Sequence, residues 1–333
     1  MPRAVRLPLK ALHTRRHNGN WVSMWKHSPA VMRYCELGMS RNERARPSDV
    51  VVQIQDLAIL DTPYLVLQDL SYDVLLDDVG ESGRFTQFPT LSQDHIKRLR
   101  DRQHRVYEGA AGILAMSRWF ADHLVRVSGV PADRVHVVHP GASAIDTVPA
   151  RAGAGAGRPR RRLLFVGKDF TRKAGDQVVA ALAVLRAEVD PEITLTVVGP
   201  AEWPLPGPLP PGVRFLGRLP ADQIAAVYDE HDVFVMPSHF EAFGIALAEA
   251  LARGLPCVAR RAFAMPEIIR HGDNGELIDG NDATELAGAL ARVLADGDMF
   301  RRVADQADET LRYYCWHRAA QDILSIAGEL TSV

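Results

Sequence analysis

The sequence predicts an α/β protein built from two parallel-sheet domains in which strands alternate with helices. Three observations carry this reading. The chain has 333 residues, more than one core usually fills, so two domains are expected. In the second half, short apolar runs that end in Gly, Pro or a polar residue alternate with stretches of helical spacing. Between the halves lies one low-complexity stretch, TVPARAGAGAGRPRRR at 147–162, whose small residues, Gly, Pro and clustered Arg read as a linker.

After the linker, RLLFVG (162–167), ITLTVVG (193–199), VRFLG (213–217), VFVMPS (233–238) and PCVAR (256–260) read as strands. Helices are expected over 174–189, over ADQIAAVYDEH and from about Phe243. Such βαβ units cross over right-handed, which limits the winding to a Rossmann-like one. The first half is patchier. DVVVQI (49–54), PYLVLQD (63–69), GILAMS (112–117) and VHVVHP (135–140) read as strands, with helices over 94–110 and 118–129. No strand followed by a Gly-rich turn is read before residue 47, and no internal sequence repeat.

Composition is that of a globular protein, with 47% hydrophobic and 24% charged residues. Residues 1–150 carry 19 basic and 16 acidic side chains, and 151–333 carry 20 and 25. The first 46 residues hold ten Arg/Lys against Glu36 and Glu43. A basic first half suits an anionic acceptor or a peripheral membrane contact, with a solvated face as the ordinary alternative. No nucleic-acid partner is expected. Cys35, Cys257 and Cys315 are too far apart for a zinc motif or a disulfide framework, which fits a cytoplasmic setting. No apolar run approaches the roughly 18 residues of a membrane span.

The stretch SHFEAFGIALAEAL (238–251) is the most informative. It follows a strand's carboxyl edge, where open α/β sheets bind ligands. The backbone N–H groups of Phe243, Gly244 and Ile245 are expected to open the next helix unpaired, a ready site for a phosphate, and Gly244 lets an anion approach. Glu241 lies beside this point, and Glu249 two turns deeper in an apolar run. A buried carboxylate needs hydrogen-bond donors, and sugar or ribose hydroxyls qualify. The plainer alternative makes Glu241 a helix N-terminal acid and Glu249 a surface charge. A second strand ends at Gly167, and its loop carries Lys168, Arg172 and Lys173, three cations that suit a diphosphate. FAMPEII (263–269) reads equally as a helix start or a ligand contact. Asp296-Gly297-Asp298 reads as a turn rather than a metal site, and no metal or other cofactor is expected.

Together VGKDFTRKAGD, VVGP, VRFLGRL, VFVMPSHFEAFGIALAEALARGLPCVA, MPEII and NGELI resemble the retaining glycosyltransferases of family 4, with the GT-B fold. The resemblance covers about 165–330 and extends more loosely back to residue 49. It implies two Rossmann-like domains facing a cleft: an N-terminal acceptor-side domain (1–146), the linker (147–162), a C-terminal donor domain (163–310) and a helix (311–333) returning to the first domain. It implies a nucleotide-diphosphate sugar as donor and a glycan, lipid-linked or small-molecule acceptor. Carried over by position, Glu241 contacts the donor sugar, Glu249 the ribose and Lys173 the diphosphate. Lys168 stands at the family's usual arginine position, and Phe243, Gly244 and Ile245 match the segment whose amides meet phosphate and sugar. Trp316 matches a Trp near the returning helix. Retention then needs no covalent nucleophile, and Glu241 in that role is the lesser alternative.

The chain departs from the family pattern in three places. Gln68-Asp69 stands where a His-Asp pair is usual, and Gln68 cannot shuttle a proton. Phe263-Ala264 replaces paired glycines before PEII, narrowing the donor-sugar end. The first βαβ unit is missing before residue 49, so a smaller N-terminal sheet is expected. Either the sequence starts late, the favoured reading, or residues 1–46 fill the gap differently. A non-catalytic nucleotide-sugar-binding relative or partner subunit is therefore the main rival. A Rossmann dehydrogenase fails for want of G-x-G-x-x-G after a first strand.

Overall fold

The structure is a computed structural model that describes residues 3–17, 20–77, 90–142 and 159–331. It divides into two compact units, Met1–Val138 with Asp322–Val333, and His139–Gln321. Most of the expected linker, residues 147–158, lies outside the described residues.

The first unit opens with α1 (Arg3–Leu12) and a two-stranded antiparallel hairpin, β1 (Thr14–His17) and β2 (Asn20–Ser23), in which Arg16 faces Trp21. This corrects the expectation of no strand before residue 49, although the hairpin stands outside the main sheet. Residues 14–23 are short of the apolar alternation that marks a buried strand, which is why they escape a pattern search. A 3-10 turn (Trp25–His27) leads into α2 (Pro29–Ala45), capped by Ser28, whose side chain accepts from the Val31 N–H. A parallel four-stranded sheet follows, with β3 (Val51–Ile54), β4 (Tyr64–Gln68), β5 (Gly112–Ala115) and β6 (Val135–Val137) side by side in chain order. Between them run α3 (Tyr72–Asp77), α4 (Gln93–Gly109) and α5 (Arg118–Arg126), the last two capped by Ser92 and Ser117. β4 and β5 are buried along their whole length, whereas the edge strand β3 exposes Val52 and Ile54. Among the described residues the parallel sheet of the first unit has four strands and that of the second has six.

The second unit is a six-stranded parallel sheet. Its strands are β7 (Arg162–Val166), β8 (Thr194–Val198), β9 (Val213–Gly217), β10 (Val233–Met236), β11 (Cys257–Arg260) and β12 (Gly275–Ile278). They lie in the order β12-β11-β10-β7-β8-β9. That is the doubly wound order, in which the chain starts at the centre, builds outward through β8 and β9, then returns to build the other way from β10. The crossovers are α6 (Gly175–Glu188), α7 (Ala221–Asp229), α8 (Ile245–Ala252) and the single turn α9 (Met265–Ile268). α10 (Ala283–Ala295), α11 (Gly297–Tyr313) and α12 (Trp316–Thr331) close the chain. Asp296 caps α11, accepting from the N–H groups of Asp298 and Met299, so Asp296-Gly297-Asp298 is a helix start. β10, β11 and β12 are wholly buried, and Phe165, Phe234, Val258 and Leu247 meet in one apolar core. Strands buried on both faces read as continuous apolar runs, which is why this half is legible.

Candidate active site

β7 and β10 are neighbours, with Leu163 beside Val233 and Leu164 beside Phe234, and the strand order reverses between them. At such a reversal the loops leaving adjacent strands turn to opposite faces, which opens a crevice at the carboxyl edge. Here those loops are 167–174, entering α6, and 237–244, entering α8.

The two loops are tied together by charge. Lys173 Nζ donates to Glu241 Oε2 at 2.8 Å and lies 3.1 Å from Met236 Sδ. Ser238 Oγ donates to the same carboxylate oxygen at 3.4 Å, and an Arg172 terminal nitrogen lies 3.9 Å from it. Arg172 also donates to the Phe240 carbonyl at 2.6 Å and through Nε to Asp169 Oδ2 at 3.3 Å. Its own carbonyl accepts from the His239 N–H at 2.9 Å. Arg172 therefore acts as a strut between the loops, while Lys173 and Glu241 form the half-buried charge pair. Gly167 leaves room for the Lys173 stem, and Lys168 is exposed on the rim. Lys168, Asp169, Thr171, Arg172 and Lys173 line a cavity of about 560 Å³ with Pro200 on its far side.

The helix after Glu241 begins at Ile245, two residues later than the sequence suggests, with Gly244 as its N-cap. Gly244 has φ 100°, a left-handed conformation that disfavours any side chain. Among the described residues the backbone N–H groups of Phe243, Gly244 and Ile245 have no hydrogen-bond acceptor. Three successive free amides at a helix start, beside Lys173, form an anion-binding concavity. The Phe243 side chain turns away and packs against His139 and Tyr314, with ring centroids 5.5 and 5.9 Å apart.

Glu249 is 8% exposed, so it is no surface charge. Its Oε2 accepts from the buried Tyr228 hydroxyl at 3.0 Å. Burial, reinforced by the Glu249 charge, holds the Tyr228 phenol well above its ordinary pKa, so it stays a donor. The structure thus joins Lys173, Arg172 and Glu241 directly, whereas Glu249 meets Tyr228. Gln68 and Asp69 belong to the first unit. Gln68 is buried at the end of β4, where its Oε1 accepts from the Tyr107 hydroxyl at 2.7 Å, and Asp69 accepts from Gln55 Nε2 at 3.2 Å.

Two groups escape sequence reasoning. Arg260, the last residue of β11, is buried and donates to the carbonyls of Pro237 and Ser238 at 3.0–3.2 Å, to Gln177 Oε1 at 3.1 Å and to the Gly280 carbonyl. Burial lowers its pKa from the ordinary guanidinium value. It fixes the end of β10 from behind, and its signal was a charge terminating an otherwise apolar strand. His139 is the other: Nε2 lies 3.2 Å from Glu267 Oε2 and Nδ1 2.8 Å from the Tyr313 hydroxyl, while its carbonyl accepts from Arg318 at 2.7 Å. Glu267 of the MPEII segment thus faces a histidine 128 residues away, a tertiary contact no local pattern shows. Trp316 opens α12, and its ring leaves no room for a side chain at Gly141. Phe263 holds φ 54°, a left-handed conformation that favours glycine, and its ring packs on Phe240 at 4.9 Å.

Residues 150–310 match the family model "Glycosyl transferases group 1". A D-inositol 3-phosphate glycosyltransferase from Corynebacterium efficiens is 32% identical over 222 residues, covering 60% of this chain and 52% of that protein. The match therefore spans about half the length of that curated relative. Among solved structures, sucrose-phosphate synthase from Thermosynechococcus elongatus superposes with TM-score 0.73 at 18% identity, covering 96% of this chain and 86% of the other. Anabaena HepE, solved in complex with UDP and glucose, gives TM-score 0.63 at 17% identity, covering 88% and 81%.

Proposed function

Starting from the group 1 glycosyltransferase domain that residues 150–310 form, within a chain whose two parallel-sheet units are of the GT-B type, we propose that this protein transfers a sugar, with retention, from a nucleotide-diphosphate sugar to a hydroxyl acceptor. The observation that carries it is the meeting of Lys173, Glu241 and three free amides at the switch point between β7 and β10.

The chemistry follows from charge. As the glycosidic bond to the donor breaks, negative charge grows on the leaving diphosphate. Fixed positive groups aimed at that charge lower the barrier without reorganising. Lys173, Lys168 and the amides of Phe243, Gly244 and Ile245 are those groups, so no metal is called for in this reading. Glu241, which pairs with Lys173, takes the sugar hydroxyls in this reading, with Lys173 directed to the phosphate. Glu249, held by Tyr228, accepts from the ribose. Retention on this reading comes from front-side attack, with the leaving phosphate taking the acceptor's proton. The matched relatives' name carries D-inositol 3-phosphate; for this chain we propose an acceptor of the glycan, lipid-linked or small-molecule class.

The test is a panel of UDP-, GDP- and ADP-sugars, scored for hydrolysis and transfer with and without a chelator. Transfer that survives chelation and yields a product of unchanged anomeric configuration is expected. Inversion or loss of turnover with chelator refutes the retaining, metal-free part, and binding of none of the donors refutes the whole. A second reading, a nucleotide-sugar-binding subunit without transfer of its own, is favoured by Gln68, which is locked to Tyr107 and cannot carry a proton. Donor binding without turnover would select it.

We also propose a cytoplasmic protein with a peripheral membrane contact. α1 carries Arg3, Arg6 and Lys10 and exposes Val5, Leu7 and Leu12, and the hairpin after it exposes Trp21 at 74%. That mixture suits an anionic lipid surface. No helix among the described residues is long and apolar enough to cross a membrane. Co-sedimentation with anionic but not neutral vesicles is the expected result.

A further inference from the structure

The amides of Phe243, Gly244 and Ile245 serve an anion only if the turn that carries them is held still. Gly244, at φ 100°, has no side chain with which to anchor it, and α8 begins only at Ile245. The anchor is the Phe243 ring, buried against His139 and Tyr314. α9 packs on the same turn, since a Cβ on Gly244 would stand 3.6 Å from Ile268 Cδ1. His139 belongs to no strand or helix, so its place is set by its contacts rather than by a backbone ladder.

Those contacts use both ring nitrogens. Nε2 lies 3.2 Å from Glu267 Oε2, and a carboxylate only accepts, which makes Nε2 the donor. Nδ1 lies 2.8 Å from the Tyr313 hydroxyl, whose proton can rotate to meet it. The His139 and Glu267 side chains are 7% and 13% exposed, so water competes little for either. Arg318 clasps the backbone on the far side of the ring. It donates to the carbonyls of His139 and Tyr313 at 2.7 and 2.8 Å, with its guanidinium 4.8 Å from the centre of the Tyr313 ring. The Ala142 N–H closes the clasp on the Tyr314 carbonyl at 2.8 Å. Two hydrogen bonds thus fix the plane of the imidazole, and Phe243 packs on the ring so held.

Resting on the glycosyltransferase reading above, we propose that His139, oriented by Glu267 and Tyr313, is a positioning residue for the donor's diphosphate. It acts through Phe243, keeping the amides of Phe243, Gly244 and Ile245 aimed at the phosphate. A residue that merely filled space behind Phe243 would need shape alone, and an aliphatic side chain would serve. A ring tied at both nitrogens is specified in orientation as well, and orientation is what a row of amides must inherit to bind without rearranging. Glu267 comes to this point from α9, so the MPEII segment supports the phosphate turn twice, by Ile268 beside Gly244 and by Glu267 through the histidine.

The experiment is calorimetric titration of the full chain with UDP, GDP and ADP and with the matching monophosphates, using the base whose diphosphate binds. The ratio of the two affinities reads what the second phosphate gains from the site. His139→Leu, which keeps an apolar neighbour for Phe243 and loses both hydrogen bonds, should weaken the diphosphate about tenfold and the monophosphate less than about twofold. His139→Gln, whose amide nitrogen can still donate to Glu267, should bring the diphosphate back to within about threefold of the unsubstituted chain. On a Phe243→Leu background, His139→Leu should add less than about twofold, because the route through the Phe243 ring is already cut. Should His139→Leu not fold, Glu267→Gln leaves the ring in place, loosens only its tie, and should weaken the diphosphate about threefold with the monophosphate unmoved. Equal weakening of both nucleotides, no recovery with Gln, or additive losses in the cycle overturns the positioning role and leaves the donor reading standing. Binding of no diphosphate to the unsubstituted chain sinks the glycosyltransferase reading and this role with it.

Discussion

In the second unit the strand order reverses between β7 and β10, and the neighbouring carboxyl ends lead to Lys173 and Glu241. In the first, the order runs β3-β4-β5-β6 without reversal, and the neighbouring ends of β3 and β4 carry Gln55 and Gln68-Asp69. Both edges are the same architectural feature, the open end of a parallel sheet, yet their side chains differ. Cations and free amides at the first edge described favour an anion; at the other, Gln55 is engaged with Asp69 and Gln68 with Tyr107. The comparison shows architecture supplying the position of a site and a handful of residues supplying its chemistry.

Removing the central charge of the cationic edge should have the largest effect. Lys173→Ala deletes the cation that the proposed reading sets against the leaving diphosphate, and leaves Glu241 with Ser238 and the more distant Arg172. We expect kcat for sugar transfer to fall by about 100- to 1000-fold, or about 3–4 kcal/mol of transition-state stabilisation. Steady-state kinetics at saturating donor check this. A change confined to KM would make Lys173 a ground-state binder, and the contrast with the other edge would weaken.

The next effect separates framework from chemistry. Gly199, at the end of β8, has φ 122°, and a Cβ there would fall 2.5 Å from the Gly167 carbonyl carbon and 2.6 Å from its oxygen. Backbone meets backbone, so the clash cannot be relieved by moving a side chain. Gly199→Ala should cost about 3 kcal/mol, from forced backbone displacement added to left-handed strain. Urea unfolding would show it as a lowered midpoint. An unchanged midpoint would mean that the ends of β7 and β8 are less tightly apposed than they stand.

Much of the second unit was legible because β10 and β11 are buried along their length and β7 and β8 nearly so, and they read as unbroken apolar runs; the half-exposed β9 was marked instead by its apolar run ending at Gly217. β12 went unmarked as a strand, since Gly-Glu-Leu-Ile is too short to show a period, although NGELI stood among the family-like motifs. The start of α8 was placed two residues early because Gly244 is its cap rather than its interior. Lys173 and Glu241 could be paired from their positions after adjacent strands. Glu249 and Tyr228 could have been paired by need, since a buried carboxylate and a buried phenol each require a partner, but nothing local joins residues 21 apart. His139 with Glu267, and the hairpin before residue 24, arise from tertiary packing and remained unread.

Acid should distinguish the units next. His27, in the first unit, has its pKa lowered from 6.5 to about 4, chiefly by burial, then by the charges of His95 and Lys26. The neutral ring fits, with Nδ1 3.0 Å from the Tyr72 hydroxyl. A depressed histidine favours the fold while it is neutral, so its contribution is complete above about pH 6.5 and is lost as pH falls toward 4. We expect about 2 kcal/mol of lost stability over that window, after discounting for partial exposure. His27→Gln should flatten this dependence. An equally steep loss in the variant would place the acid sensitivity elsewhere.

The smallest effect probes the buried acid of the cationic edge. Tyr228→Phe keeps the ring packed against Phe234, 5.7 Å between centroids, and removes only the hydroxyl that donates to Glu249 at 3.0 Å. One hydrogen bond to a charged group is worth about 1–2 kcal/mol, so stability should fall by roughly that amount. The functional reading is sharper than the stability one. If Tyr228 aims Glu249 at a ribose, the variant should raise the Kd for the nucleotide sugar several-fold while kcat at saturation stays within about twofold, because the ribose is bound alike in ground and transition states. Glu249→Gln should reproduce that pattern more strongly. If instead Tyr228→Phe destabilises the chain and leaves donor affinity unchanged, Glu249 is a buried structural acid, and the anion-selecting edge reduces to Lys173, Lys168, Glu241 and the three amides.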